Sequence, residues 1–269
     1  MTTQQEKARA LHELHRRGEP LVLANAWDAV SARLVAGAGA RAVATASASV
    51  SWTLGSPDGG GADRDLVLAQ TALVVRSVEL PVTADLESGY ADSAAGVGET
   101  VTALIGTGAV GVNLEDDGRP IDEAAERIAA ARAAADAAGV PLFVNARTDV
   151  FLHQLGEPEG RLDESVRRLR AYVEAGADGV FAPGAFDRET IAALVEAVPA
   201  PLNVLAGPGA LSVPELAKLG VARISLGPGL AKVAFAAVRR AAEEVYASGT
   251  YTALDGGLTY PELNGLFQS

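Results

Sequence analysis

No cysteine occurs anywhere in the 269 residues. Disulfides, thiolate metal sites and a cysteine nucleophile or general acid are therefore excluded together. Histidine is scarce too, limited to His12, His15 and His153. The first two fall three residues apart in an N-terminal helical pattern, far from any expected catalytic rim, and His153 reads as a surface-loop residue. Neither a histidine metal set nor a Ser-His-Asp arrangement is visible. Net positive charge is also missing. A formal charge of −12 gives no basic face for nucleic acid. It does not exclude a small anionic carboxylate, whose charge one metal ion and one arginine can meet locally. No uninterrupted apolar run is long enough to span a bilayer, and the opening MTTQQEKARALHELHRRG is a polar amphipathic helix without a signal-peptide core. The expectation is a cytoplasmic protein with no membrane partner.

What is present is apolar: 49% of the residues, enough for a large core and against disorder. Short β-rich runs alternate with longer helical ones. Strands are expected at 21–24, 41–45, 80–84, 109–114, 140–145, 178–182, 201–205 and 221–226. Helices are expected at 28–38, 63–79, 98–107, 122–138, 162–175, 187–197, 212–219 and 229–247. This alternation implies right-handed crossovers and a parallel sheet. The phrases AGAGA (36–40), GTGAV (106–110) and EAGADGV (174–180) place glycine where a helix ends and the next strand starts. Such phrases mark one end of each unit, so the opposite ends of the strands form the functional rim. An open doubly wound sheet would want one glycine fingerprint after the first strand, and LVLANAWDAVSA has none. The expected fold is a single (β/α)8 TIM barrel over 1–269. An extra N-terminal helix would cap its bottom, and a short C-terminal helical extension would cover the barrel edge or a partner subunit.

The rim is read strand by strand. Asp85 and Glu87 lie two apart at the end of the third strand, on one face if the backbone stays extended. Glu115, Asp116 and Asp117 end the fourth. Acids gathered in one mouth need a positive neutraliser. Oxygen ligands without thiolates favour Mg2+ or Mn2+. Solvated loop acids capping the following helices are the equal alternative. Asn145, Arg147 and Asp149 share parity after the fifth strand. Arg147 suits a carboxylate or phosphoryl group, or a structural ion pair with Asp149 or Glu115. Trp27 walls the pocket or packs between helices, and Asp28 acts at the site or caps a helix. Thr45, Ala46 and Ser47 allow backbone N–H groups to approach an anion, and Asp58 closes their loop. Gly207, Gly209, Gly227 and Gly229 follow the last two strands, where many barrels hold phosphate; they equally suit tight turns.

As an ordered set, NAWDAVSARL, TASASVSWTLGSPD, PVTADLESGY, GVNLEDD, FVNARTDVF and ARISLGPG resemble the isocitrate lyase/phosphoenolpyruvate mutase superfamily over nearly the whole chain. The resemblance implies metal-associated acids at Asp85, Glu87 and Glu115, where Glu87 replaces a more usual aspartate. It implies a carboxylate-binding loop at Thr45, Ala46 and Ser47, with Ser47 in place of glycine. It also implies an acid near the metal at Asp58, an anion-holding arginine at Arg147, and an aromatic–aspartate pair at Trp27 and Asp28. The lyase branch's Lys-Lys-Cys-Gly-His segment is absent. The mutase branch's lysines after the fourth strand are absent as well: LEDDGRPIDE offers only Arg119.

The expected function is a Mg2+-dependent lyase cleaving a C–C bond of a small 2-oxo or 2-hydroxy di-acid through an enolate, in a dimer or tetramer. In that reading Arg147, Asp58 and Asp28 are catalytic, and Trp27, Thr45, Ala46, Ser47 and Asn145 join Arg147 in binding substrate. A phosphonopyruvate- or oxaloacetate-type mutase, hydrolase or decarboxylase is the first alternative. A sugar-phosphate barrel enzyme is another, although Lys7, Lys218 and Lys232 offer no clear strand-end Schiff base. The third is a metal- and 2-oxo-acid-binding barrel without turnover.

Overall fold

A computed structural model describes residues 2–268. Its strands are β1 (Leu21–Leu23), β2 (Val43–Ala44), β3 (Val82–Asp85), β4 (Gly111–Glu115), β5 (Phe143–Arg147), β6 (Gly179–Phe181), β7 (Leu202–Leu205) and β8 (Arg223–Ser225). The helices in the first half are α1 (Gln4–Glu13), α2 (Ala29–Gly37), α3 (Ser47–Thr53), α4 (Arg64–Ser77), α5 (Ala94–Gly106) and α6 (Ile121–Ala138). Those that follow are α7 (Arg161–Glu174), α8 (Arg188–Ala197), α9 (Val213–Lys218), α10 (Gly229–Ser248) and α11 (Tyr260–Gly265).

Every strand pair is parallel, in the order β1-β8-β7-β6-β5-β4-β3-β2. A parallel bridge between Ala26 and Thr45, just beyond β1 and β2, closes the ring. This is the expected (β/α)8 barrel, with each expected strand and helix present and α3 added. The strands are shorter than the apolar runs suggested, because tilted neighbours in a barrel pair only over part of their length.

Local chemistry sets the element ends. Asp28 and Ser31 form a reciprocal cap at the start of α2, the arrangement that satisfies free N–H groups at a helix start. Gly139 takes φ 65° to end α6, a left-handed turn that a side chain would strain. Most of the core is one cluster of aliphatic side chains between strands and helices, including Leu23, Val112, Val144, Val180, Val204 and Ile224, with a smaller cluster of Ala26, Ala32, Val43, Val74, Val78 and Val82 beside it.

The N-terminal helix α1 closes the bottom, as expected. Leu11 is fully buried, the His12 ring bonds the Pro141 carbonyl oxygen at 3.0 Å, and His15 stacks on Phe143 at 3.8 Å. Leu11 must sit close to β4, since a Cβ on Gly111 would meet its Cδ2 at 2.8 Å. At the other end of the chain, α10 buries only Ala231. The C-terminal extension touches the barrel edge at α2: Arg33 donates to the Leu266 carbonyl and lies over the Phe267 ring. Tyr260 and Leu263 of the same extension are exposed. Among the described residues no helix is long and apolar enough to cross a membrane.

Candidate active site

A cavity of about 240 Å3 opens at the carboxyl ends of the strands, lined by Asn25, Ser47, Asp58, Asp85, Asn113, Arg147, Phe181, Ser225 and Lys232, among others. This is the rim that the helix-end glycines indicated. Asp85 ends β3. Its carboxylate accepts the Ser47 N–H at 3.2 Å, and its own N–H donates to Thr45 Oγ1 at 3.0 Å. The Thr45–Ser47 segment is thus tied to Asp85 from both sides. The segment is not the open loop expected: Ala46 caps α3, which starts at Ser47. Ala46 and Ser47 line the cavity, whereas Thr45 is buried behind them.

The parity argument for Glu87 fails because β3 ends at Asp85 and Glu87 adopts φ 50°. Its carboxylate turns to accept from Tyr90 Oη at 2.9 Å and from the Gly60 N–H, which pins the α3–α4 loop carrying Asp58. Burial pushes the Glu87 carboxyl up, the Tyr90 bond pulls it back, and Asp58 and Asp85 add to the rise. Glu115 ends β4 and pairs with Arg147 at 2.7 Å. Burial raises its carboxyl well above the ordinary range, Arg147 opposes, and Asp149, Asp85 and Glu87 push it further.

Arg147, at the end of β5, is clamped. Nη1 meets Glu115, and Nε and Nη2 meet Asp149 Oδ1 at 2.7 and 2.6 Å. Both readings of this arginine therefore hold at once, since it makes structural ion pairs and also lines the cavity. A guanidinium carries five N–H donors in a fixed fork, so donors remain for an anion in the cavity.

Five residues read as candidates for the mouth lie outside the cavity lining. Asp116 does not join the mouth. It is buried and accepts from Thr148 Oγ1, Tyr172 Oη and Arg168 Nη1 at 2.7, 2.8 and 3.1 Å, because β4 has ended and its side chain turns outward toward α7. Asp117 turns to solvent and pairs with Arg119. Asp28 and Trp27 are not cavity-lining residues: Asp28 serves as the α2 cap, and Trp27 packs toward the core and Phe235. Asn145 lies beneath the floor, donating to Asn113 Oδ1 at 2.9 Å. His153 is exposed.

Sequence reasoning missed Asn25, Asn113, Ser225 and Lys232. The first three carried a legible signal, since polar residues at strand positions face a barrel interior only where something polar uses them. Lys232 sits in the first turn of α10, and only the path of the β8–α10 loop brings it to the mouth. The four glycines after β7 and β8 are divided, with Gly227 at the acid cavity and the other three elsewhere. Gly207, Gly209 and Gly229 line an apolar groove of about 760 Å3 with Phe186, Leu226 and Val233, which adjoins the acid cavity through Leu205, Pro228 and Lys232.

Residues 11–246 match the family model for phosphoenolpyruvate phosphomutase. The chain belongs to that family. It is 32% identical to 2-methylisocitrate lyase of Escherichia coli K12 over 84% of this chain and 79% of that one. A candidate lyase/mutase from Burkholderia cenocepacia J2315 superposes with a TM-score of 0.91 at 41% identity, covering 99% of this chain and 97% of its own. Phosphonopyruvate hydrolase, solved with oxalate and Mg2+, superposes with a TM-score of 0.85 at 26% identity, covering 97% and 94%. The superfamily suggested by the ordered motifs is therefore correct, and its members include C–C lyases and decarboxylases.

The donor set fits a hard cation only with water and substrate oxygens completing its shell. Among the described residues, no three His, Asp or Glu side chains converge as a ready-made cage. Of Asp85, Glu87 and Glu115, only Asp85 lines the cavity, together with Asp58. Yet Glu87 and Glu115 are both pushed up in part by neighbouring acids, an excess of negative charge that a cation would relieve. One or two direct carboxylates with water and substrate oxygens completing the shell is how Mg2+ is usually held.

Proposed function

We propose that this chain is a Mg2+-dependent lyase that cleaves a C–C bond in a small 2-oxo or 2-hydroxy di-acid, with an enolate as the leaving fragment. The observation that carries the reading is the 240 Å3 rim cavity in which Asp85 and Asp58 face Arg147 and Lys232. It has room for a compact acid and offers charges of both signs. The occurrence of oxalate with Mg2+ in the related phosphonopyruvate hydrolase supports it, since oxalate has the shape and charge of a pyruvate enolate.

Asp85 and Asp58, the two acids that line the cavity, would hold the ion, with Glu87 and Glu115 adding negative charge behind them. A bound Mg2+ would polarise the 2-oxo or 2-hydroxy group and offset the charge that develops on the enolate oxygen. The rest falls to side chains. Arg147, fixed by Glu115 and Asp149, presents its remaining N–H donors to the distal carboxylate and sets which bond lies over the acids. The Ala46–Ser47 backbone borders the near carboxylate. Lys232 makes no ion pair among the described residues. Its ammonium is available to hold the departing enolate or to protonate it, in a chain that has no cysteine for that task, while Asp58 across the same mouth would take the proton that leaves the 2-hydroxyl. Val233, Val238 and Tyr246 of α10 stand 68%, 67% and 90% exposed, and we take this face as the surface the expected homo-oligomer would use.

The test is calorimetric titration of oxalate with and without Mg2+ on wild type and D85A, followed by turnover of substituted malates, oxaloacetate and phosphonopyruvate. Tight Mg2+-dependent binding that D85A abolishes, with cleavage of a malate, supports the lyase. Cleavage confined to oxaloacetate or phosphonopyruvate reassigns the reaction. Binding indifferent to both metal and Asp85 refutes the enolate site.

A further inference from the structure

Resting on that reading of the cavity, we infer that Arg223 is a positioning residue of the site. Its buried guanidinium sets, from beneath the floor, the electrostatics and orientation of the groups that receive the anionic substrate.

Arg223 opens β8 and is 0% exposed, among the largest fully buried side chains of the protein. It shares parity with Ser225, a cavity-lining residue, so both face the barrel interior. The side chain spans from β8 to β4, on the far side of the eight-stranded ring, where Nη2 donates to Asn113 Oδ1 at 3.2 Å. That same oxygen accepts from Asn145 Nδ2, and Asn113 lines the cavity. Arg223 Nε donates to Ser225 Oγ at 3.4 Å, and the Ser225 hydroxyl donates in turn to Asn203 Oδ1 at 3.2 Å. Two of the polar groups forming the floor, Asn113 and Ser225, are therefore oriented by one guanidinium.

The charge is as informative as the bonds. The other deeply buried arginines have carboxylate partners: Arg147 has Glu115 and Asp149, Arg168 has Asp116 and Glu164, and Arg127 has Glu123 and three backbone carbonyls. Arg223 has none among the described residues, and its Nη1 has no hydrogen-bond partner. Stripping a cation of water without a counter-ion is expensive, and a Met or Leu of similar volume would fill the space at less cost. A group retained there for packing alone would be replaceable; a positive charge directly under an anion-binding cavity has a use. The field reaches the rim: burial lowers the Arg223 guanidinium to about 10, and the group that opposes this is Asp85. Below it the same charge bears on His15, whose ring is pushed down to about 3 by burial first and Arg223 second. Arg147 is balanced by its two carboxylates. Arg223 is thus the deeply buried arginine whose charge no carboxylate balances, held by Asn113 and Ser225 directly beneath the cavity that would take a di-acid.

The experiment compares wild type, R223M, R223Q and R223K for oxalate affinity in Mg2+ by calorimetry and for melting temperature. Expected is at least a tenfold loss of affinity in R223M and R223Q, with the melting temperature of R223M held or raised. R223K, which restores the charge without the fork, should recover most of the lost affinity. Oxalate binding in R223M within twofold of wild type overturns the proposal, as does an R223K no better than R223M. Failure of R223K to fold would make the residue a structural plug and also overturn it. If wild type itself shows no Mg2+-dependent oxalate binding, the enolate reading falls and takes this inference with it. A wild type that binds beside an R223M that binds equally sinks the inference alone.

Discussion

Asp116→Asn should unfold the back of the site rather than its front. Asp116 is buried and accepts five hydrogen bonds: from Thr148, Tyr172 and Arg168 side chains and from the Asp149 and Gly118 amides. The neutral variant places an NH2 among donors and leaves Arg168 with Glu164 as its remaining carboxylate. Removing one partner of a buried ion pair costs about 3–5 kcal/mol. Tyr172→Phe deletes a single charge-assisted bond, about 1.5–3 kcal/mol. For a domain somewhat larger than 250 residues, about 2–4 °C is lost per kcal/mol, so D116N should melt roughly 6–20 °C below wild type. Urea titration followed by circular dichroism and tryptophan fluorescence gives both values, with coincident transitions as the check on two-state behaviour. A D116N midpoint shift worth less than about 1 kcal/mol, or a Y172F as damaging as D116N, would show that the network is not held by the buried charge. Oxalate binding near saturation should then survive D116N at low temperature, because Arg147 keeps both of its own carboxylates.

Two pH effects follow from opposite shifts. The folded Glu87 carboxyl lies above its ordinary value of 4.5, so the folded state binds more protons than the unfolded one. Stability from this group is complete below that value and is lost as pH rises through the folded one. In metal-free protein E87Q should therefore match wild type near pH 4 and exceed it at pH 8, and added Mg2+ should narrow the gap; thermal melts across that range check it, and a constant offset refutes it. His15 runs the other way. Its folded value of about 3 lies below the ordinary 6.5, so its contribution is present above 6.5 and is lost as pH falls toward 3. H15F, which keeps the stack on Phe143, should flatten the acid side of the stability curve; an unchanged acid limb would place the sensitivity in the carboxylates instead.

Much of the fold was legible in the sequence because it rests on local and periodic information. Apolar runs, helix-start acids and glycine at helix ends define each β/α unit, and repeating such a unit closes the barrel almost without choice. The same information located the rim, and with it Asp85, Asp58, Ser47, Glu115 and Arg147. What it could not fix begins where strands end. Side-chain parity holds only in extended backbone. At Glu87, φ 50° turns a carboxylate expected to lie beside Asp85 toward Tyr90, and past Glu115 the next two acids leave the mouth. Asp28 followed local helix chemistry, which competed with a site role at identical sequence positions. Lys232 and Arg223 needed the assembled ring: one is delivered by a loop, the other meets Asn113 from a strand 110 residues away. Sequence determined the scaffold and the acids that crown it, since those depend on near neighbours. Tertiary structure decided which acids share a cavity and which buried cation lies beneath it without a carboxylate, since both depend on contacts made only across the closed barrel.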